Sequence, residues 1–145
     1  MEFTVKSPIL GFEYIQKMRL EKIDKDDDVF MRLVSCENDG ISFTLVNPYA
    51  IRADYVFDIP TPVKVLLDLK SNSNIDTDQA QFAVLNIVRV NEPIEQSTVN
   101  FLAPIIFNFE NQTMAQVVLE SFKYDNFGLS EPISKFFDFG NKNPN

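Results

Sequence analysis

The chain of 145 residues contains no histidine, no tryptophan, one cysteine and only four glycines. Without histidine, its own residues cannot form a Ser-His-Asp or Cys-His catalytic site, a His-ligated zinc site or an imidazole general base. The single thiol, Cys36, excludes an internal disulfide and fits a reducing compartment. The sequence also has no glycine-rich phosphate loop. We therefore expect a protein that is not an enzyme and that uses no cofactor and no metal.

Long apolar runs and an excess of positive charge are also missing. The first residues, MEFTVKSPIL, lack the continuous apolar stretch of a signal peptide, and no run reaches membrane-spanning length. The formal net charge of −8 argues against a nucleic-acid backbone or an anionic membrane as ligand. Such a charge serves simple solubility, and it would also attract a basic protein. We expect a cytoplasmic protein that is monomeric when free.

The chain does contain many short β-rich segments joined by turns. Residues 29–35 and 41–46 predict a hairpin, because apolar and polar residues alternate and Asp39-Gly40 marks a turn. Residues 81–90 are largely apolar on both faces and predict a central strand. The pattern predicts an all-β domain over residues 1–121, either an antiparallel barrel-like fold or two packed sheets.

Two segments between the predicted strands have their own signals. Residues 55–59 predict another short strand. Residues 61–69 follow helical spacing, with Thr61 as the predicted N-cap and Pro62 in the first helical position. We therefore predict one short helix in an otherwise all-β domain.

A proline interrupts the apolar segment of residues 98–108. Strands are predicted on both sides of Pro104, yet a central strand does not tolerate a residue without a backbone N–H. We therefore predict a corner at Pro104, where the strand bends or changes sheet. Asn100 and Asn108 would then satisfy backbone groups left unpaired at the bend.

Two surface segments are candidates for binding. The acidic run DKDDD at residues 24–28 lacks the glycine and the glutamate of an EF-hand loop, so a solvated loop is expected rather than a calcium site. Residues 122–145 contain five phenylalanines and Tyr124, too many aromatics for a mobile tail. This C-terminal segment, with a short helix capped by Ser130, either packs across an open barrel end or anchors a partner.

An ordered set of motifs between residues 3 and 119 resembles the bacterial flagellar assembly factor family FliW. The motifs are SPILGFE, VFMRLVS followed by FTLVNP, DYVFDIP, and TVNFLAPIIFNFENQTMAQVVL. Each motif is weak alone, and their order makes the set specific. The structural positions within them are Gly11, Phe12, Asn47, Pro48, Asn100, Pro104 and Asn108.

The resemblance implies a barrel-like domain that regulates through protein–protein contacts. It implies two partners, flagellin and the dimer of the carbon storage regulator CsrA, a small basic protein that represses translation of flagellin mRNA. A FliW protein freed by flagellin export would capture CsrA and make it release RNA through coupling between two sites. No direct contact with nucleic acid or with a membrane is implied.

For this chain we predict that acidic loop residues steer the basic partner and that aromatic residues of the C-terminal segment anchor it. These residues are Asp24, Asp26, Asp27, Asp28, Phe136, Phe137 and Phe139. Two alternatives remain open at this point. One is a flagellin export chaperone with no role at CsrA. The other is a small-ligand-binding or enzymatic β-barrel, which would need a deep apolar cavity.

Overall fold

The computed structural model describes residues 1–69 and 82–139. Within these ranges it has nine strands: β1 Glu2–Ser7, β2 Lys17–Lys22, β3 Phe30–Ser35, β4 Ser42–Val46, β5 Phe82–Arg89, β6 Thr98–Val99, β7 Ile105–Asn108, β8 Thr113–Gln116 and β9 Glu131–Pro132. The helical elements are α1 Pro48–Ile51, α2 Thr61–Leu67 and the 3-10 turns Ile94–Gln96 and Ile133–Lys135. Two predicted features extend outside the described residues: the central strand by its first residue and the C-terminal segment by positions 140–145.

Seven of the strands close into a barrel. The order around it is β4-β3-β2-β1-β8-β7-β5, and β5 pairs back with β4, where Ile87 lies opposite Leu45. The neighbours are antiparallel except β1 and β8, which run parallel with Thr4 opposite Thr113. The predicted barrel-like class is therefore confirmed. The prediction of purely antiparallel pairing is wrong for β1 and β8, because β1 closes the sheet against a strand that runs in the same direction near the other end of the chain.

Two clusters of buried side chains lie on the two faces of the sheet. One takes residues from all seven barrel strands, among them Phe3, Leu33 and Phe107, and fills the barrel interior. The other covers the outer face of β5, β7 and β8, where helix α2 and the C-terminal segment pack. Strand β5 supplies Leu85 to the first cluster and Val84 to the second, so it is apolar on both faces as the sequence predicts.

Strands β6 and β7 are two halves of one strand that is interrupted at residues 100–104. Both halves pair antiparallel with β5: the last residue of β6 lies opposite Val88, and the first residue of β7 lies opposite Leu85. Residues 100–104 therefore lie opposite only two residues of β5, at positions 86 and 87. Pro104 is the last residue of this bulge and belongs to neither half. Its missing N–H therefore removes no hydrogen bond from the ladder with β5.

Buried polar side chains hold the bulge against β5. The Tyr55 hydroxyl donates to the carbonyl of Phe101 at 2.6 Å. Asn86 Nδ2 donates to the carbonyl of Asn100 at 2.9 Å and to the Tyr55 hydroxyl oxygen at 3.1 Å. Asn100 Oδ1 in turn accepts from the backbone N–H of Leu102 at 3.0 Å. Burial raises the pKa of the Tyr55 hydroxyl, so it remains a hydrogen-bond donor even in alkaline solution.

Helix α2 starts as predicted at Thr61 but is not capped by it. The cap position is Pro60, which has no side-chain hydrogen bond, and its carbonyl accepts from Val63 and Lys64 at 2.9 and 3.1 Å. The predicted N-cap at Thr61 is therefore wrong, because the first helical turn already begins at the carbonyl of the preceding residue.

The same helix ends at Leu67, two residues earlier than predicted. Asp68 adopts the left-handed conformation with φ of 58°, and the N–H of Leu69 returns to the carbonyl of Lys64 at 2.8 Å, which closes the helix. Asn108 Nδ2 then donates to the carbonyl of Leu67 at 2.7 Å. This bond ties the end of β7 to the end of α2, so the prediction that Asn108 satisfies a backbone group at the Pro104 bend is wrong, while Asn100 does so.

Residues 55–59 do not form the predicted strand, although their side chains alternate as expected. Tyr55, Phe57 and Ile59 are buried, and the residues between them face solvent. The backbone N–H of Asp58 bonds to the Tyr124 hydroxyl at 3.0 Å instead of to a neighbouring strand. The segment is extended and packed without being paired.

Asn47 and Ser130 complete the local picture: the first does more than its motif indicates, and the second is not the predicted cap. Asn47 not only ends β4 but also caps α1, since its Oδ1 accepts from the N–H of Tyr49 at 3.1 Å and Pro48 is the first helical residue. Ser130 caps no helix, because Glu131–Pro132 pairs with β6 as β9 before the 3-10 turn begins. Within the described ranges, no helix has the length and apolar character needed to cross a membrane.

We expect Tyr55→Phe to destabilise the fold by about 2 kcal/mol, because the carbonyl of Phe101 would lose its buried donor. Urea denaturation would measure the change in the free energy of unfolding. The exposed Tyr14 provides the control, since Tyr14→Phe removes a hydroxyl in contact with solvent. Equal stability of the two variants would show that the Tyr55 hydroxyl does not hold the bulge.

Candidate functional site

A groove on the outer face of the barrel gathers segments that are far apart in the sequence. Its volume is about 340 Å³, near the lower limit of about 300 Å³ for ligand clefts. The buried residues Val88, Ser97 and Ile133 form its floor. Other lining residues come from the β2–β3 loop, from strands β3 and β4, from the segment after β5 and from the C-terminal segment. We call this site the β5 groove.

The acidic loop predicted to steer a partner lies at one rim of the β5 groove. Asp27 lines the groove, while Asp24, Asp26 and Asp28 are exposed on the same loop. Asp24 Oδ1 accepts from the N–H of Asp26 at 3.0 Å, and Asp27 Oδ1 accepts from a backbone N–H two residues later at 2.8 Å. Asp28 forms an ion pair of 2.8 Å with Lys22. These contacts shape the turn and keep its carboxylates at the surface.

The predicted aromatic anchors take different positions. Phe139 lines the β5 groove and also a neighbouring cavity of about 450 Å³. Phe137 lies behind it, edge-on to Phe139 at 4.8 Å and to Phe30 at 5.5 Å between ring centroids. Phe136 and Phe137 line that neighbouring cavity too, and the ring of Phe136 packs against Phe101 at 5.3 Å. The structure therefore brings Asp27 and Phe139 together at one site and leaves Phe136 outside it.

Arg52 holds the C-terminal segment in place. Its guanidinium carbon lies 4.8, 5.0 and 4.9 Å from the ring centroids of Phe101, Phe127 and Phe136. Its Nη1 forms an ion pair of 3.0 Å with Glu131, and the two side chains are only 9% and 13% exposed. A desolvated cation between aromatic faces and a carboxylate is strongly bound. This contact joins the bulge to the segment that supplies one wall of the groove.

The motif residues that carry the family resemblance shape the barrel rather than the groove. Gly11 has φ of +89°, a conformation that favours glycine, and its N–H donates to Glu13 Oε2 at 2.9 Å. Phe12 follows it and packs edge-on to Phe43 at 5.0 Å. Of the described residues that line the β5 groove, none belongs to the set Gly11, Phe12, Asn47, Pro48, Asn100, Pro104 and Asn108.

Sequence reasoning missed the apolar rim of the groove. Ile23, Val90 and Ile94 line it, and they are 56%, 54% and 52% exposed. In the sequence each is a single large apolar residue in or beside a polar, charged turn, as in EKIDKDDD and NEPIEQ. Single exposed aliphatic residues are ordinary on protein surfaces, so only their meeting at one groove, which the fold shows, marks them as a contact surface.

The side chains that line the β5 groove are suited to binding a partner by surface contact rather than to transferring protons. Among the described lining residues, Asp27 carries the only charge, and Thr44 and Ser97 supply the other polar side chains. In the part of the chain that the structure describes, no three His, Cys, Asp or Glu side chains are grouped to hold a metal ion. Fold and site together define a small β-barrel protein with an acidic, apolar groove on its surface.

The family model described as "FliW protein" matches residues 1–133, and the chain belongs to this family. Flagellar assembly factor FliW 2 of Wolinella succinogenes is 57% identical over 138 residues, covering 95% of this chain and 93% of that protein. Flagellar assembly factor FliW of Campylobacter lari is 45% identical over 136 residues, covering 94% and 96%.

The fold has a solved counterpart as well. A crystal structure of the flagellar assembly factor FliW matches with a TM-score of 0.76, over 95% of this chain and 87% of that chain. At 22% sequence identity this likeness shows the fold alone. The family predicted from the motifs is thus confirmed, and the chain is a flagellar assembly factor of a family that is not a known enzyme family.

We expect Glu131→Gln to destabilise the protein by about 3 kcal/mol, because it removes the buried carboxylate that faces the guanidinium of Arg52 and leaves only the exposed Asp54 at 3.6 Å. Glutamine keeps an oxygen for the N–H of Gly128, which Glu131 Oε2 accepts at 2.7 Å. Urea denaturation would measure the loss, and adding Arg52→Met should recover part of it.

The matched control for this prediction is Asp28→Asn, which breaks the exposed ion pair with Lys22. Its cost should stay below about 1 kcal/mol, as for other surface pairs. If the two single variants lost equal stability, Arg52 and Glu131 would not act as a buried pair.

Proposed function

We propose that this protein binds flagellin and the translational regulator CsrA in the cytoplasm, and that it antagonises CsrA so that flagellin mRNA is translated. Membership of the FliW family supports a role in flagellar assembly. The observation that carries the finer proposal is the meeting of Asp27 and Phe139 at the β5 groove. They belong to the acidic loop and the aromatic C-terminal segment, the two segments predicted from the sequence to contact a partner.

The charge distribution supports a basic partner such as CsrA. The formal net charge is −8, and the loop at the groove carries four aspartates against two lysines between positions 22 and 28. Fields of this kind raise association rates with proteins of opposite charge and fade beyond a Debye length of about 8 Å at physiological salt. An acidic protein surface also repels nucleic acid, so the proposed effect on mRNA passes through CsrA.

The packing of the barrel favours a protein partner over a small ligand held inside it. The interior cluster includes Phe3, Met18, Leu33 and Phe107, all of which are almost completely buried. A barrel of about eight strands has an interior just wide enough for side chains to fill it. The groove on the outer face is open to a macromolecule, and we propose that residues 122–145 take part in binding.

Calorimetric titration with CsrA, repeated after saturation with flagellin, tests the proposal. We expect tight binding of CsrA to the free protein and strong weakening once flagellin is bound. Binding of flagellin without CsrA would leave an export chaperone instead. Binding of CsrA that flagellin does not change would keep the antagonist and remove the switch between the two partners.

A charge variant tests the role of the acidic loop. Changing Asp24, Asp26, Asp27 and Asp28 to asparagine keeps the side-chain oxygens that accept backbone N–H groups in the turn. We expect the association rate with CsrA at low salt to fall about tenfold, because the steering field is lost. Stopped-flow measurements across a salt series would show it.

The control removes four exposed carboxylates that do not line the β5 groove. They are replaced in Glu37→Gln, Asp39→Asn, Asp58→Asn and Glu120→Gln. The change in net charge is the same in both variants. Equal losses of rate would show that overall charge, rather than the acidic loop, attracts CsrA.

A further inference from the structure

We infer that the β5 groove binds a short amphipathic segment of a protein partner, in which one or two aliphatic side chains are flanked by lysine or arginine. The inference rests on the proposed function in that the ligand is taken to be a protein. Ile23, Val90 and Ile94 supply the apolar contacts, and the carboxylate of Asp27 faces the basic residues.

The three aliphatic residues form an exposed apolar surface built from three separate parts of the chain. Ile23 follows β2, Val90 follows β5, and Ile94 starts a 3-10 turn, yet all three line one groove. Each leaves more than half of its surface in water. Convergence of exposed aliphatic side chains with a polar rim marks a contact surface rather than scattered surface residues.

The aromatic side chains near the groove act as its wall and are less available as anchors. Phe137 makes edge-on contacts with Phe30 and Phe139, and all three rings are only partly exposed. Phe136 lies under the guanidinium of Arg52 at 4.9 Å. Moving these rings to a partner would break internal contacts, whereas the aliphatic rim can be covered without any rearrangement.

Charge selects the flanking residues of the occupant. Asp27 is the only charged side chain among the described residues of the lining, and the segments that carry the aliphatic rim add Asp24, Glu92 and Glu95. Lys22 is already paired with Asp28 at 2.8 Å, and with Lys25 and Arg89 included the stretches 22–28 and 89–96 carry six carboxylates against three cations. The field at the groove is therefore negative, and an apolar segment with acidic flanks would be repelled.

The volume of the groove limits what it can take. About 340 Å³ accommodates one or two aliphatic side chains and not a whole helix. An amphipathic helix can lie across such a groove and insert apolar residues spaced three or four positions apart, while its basic residues reach the carboxylates at the rim. The inferred occupant is therefore a few residues of a larger partner.

Synthetic ten-residue peptides test the inference with the full-length protein. The first repeats Lys-Lys-Leu-Leu, the second replaces leucine by serine, and the third replaces lysine by glutamine. In NMR titrations of the labelled protein, the leucine–lysine peptide should bind at least about tenfold more tightly than either of the others. Its shift changes should centre on Ile23, Asp27, Val90 and Ile94.

A pair of valine variants provides the structural control. Val90→Arg places bulk and positive charge in the β5 groove, and Val118→Arg makes the same change at a residue that is 58% exposed and lines a different cavity. Val90→Arg should weaken binding of the leucine–lysine peptide about tenfold, and Val118→Arg by less than about twofold. Thermal unfolding would verify that both variants fold.

Several outcomes would overturn the inference. Equal binding of the serine–lysine peptide would reduce the site to an acidic surface, and equal binding of the leucine–glutamine peptide would remove the charge selection. Undiminished binding to the Val90→Arg variant would place the site elsewhere. If the leucine–lysine peptide did not bind while CsrA and flagellin still did, the inference would be wrong and the proposed function would stand. If the peptide bound the β5 groove while CsrA and flagellin did not bind the protein, the groove would have no part in the proposed function.

Discussion

Arg52 carries its charge into the protein, where three phenylalanine rings and the carboxylate of Glu131 surround it. A buried guanidinium is costly unless every contact is made, so the pair fixes the C-terminal segment in one position. That segment provides Phe139 and the floor residue Ile133 of the β5 groove. The ion pair between Arg52, which lies beside the bulge, and Glu131 thus holds in place the segment that lines part of the groove.

The interrupted strand explains why the C-terminal segment can reach this charge. Residues 100–104 leave the ladder, and the bulge places Phe101 beside both Tyr55 and Arg52. Before the interruption, β6 pairs with β5 on one side and with β9 on the other, whereas β7 has β8 as its second neighbour. One irregularity of the barrel thus creates a docking edge for the C-terminal segment and, with it, a site on the outer face.

The fold was predictable where local pattern decides it and unpredictable where distant segments meet. The hairpin of β3 and β4, the two-sided strand β5 and the interruption near Pro104 follow from alternation and from proline chemistry. The parallel pairing of β1 with β8 and the pairing of Arg52 with Glu131 depend on closure of the whole chain. No local signal encodes them, and for the same reason the groove could not be assembled from sequence.

Net charge and apolar exposure have different consequences at the groove. A charge of −8 alone serves solubility and attracts any cation over a distance set by salt. Exposed aliphatic residues alone attract apolar surfaces without regard to identity. Ile23 and Ile94 lie on turns that also carry carboxylates, so the negative charge and the apolar surface are presented to a partner at the same place. A partner must bring apolar and basic groups in the same few residues, which is a narrower requirement than either property sets by itself.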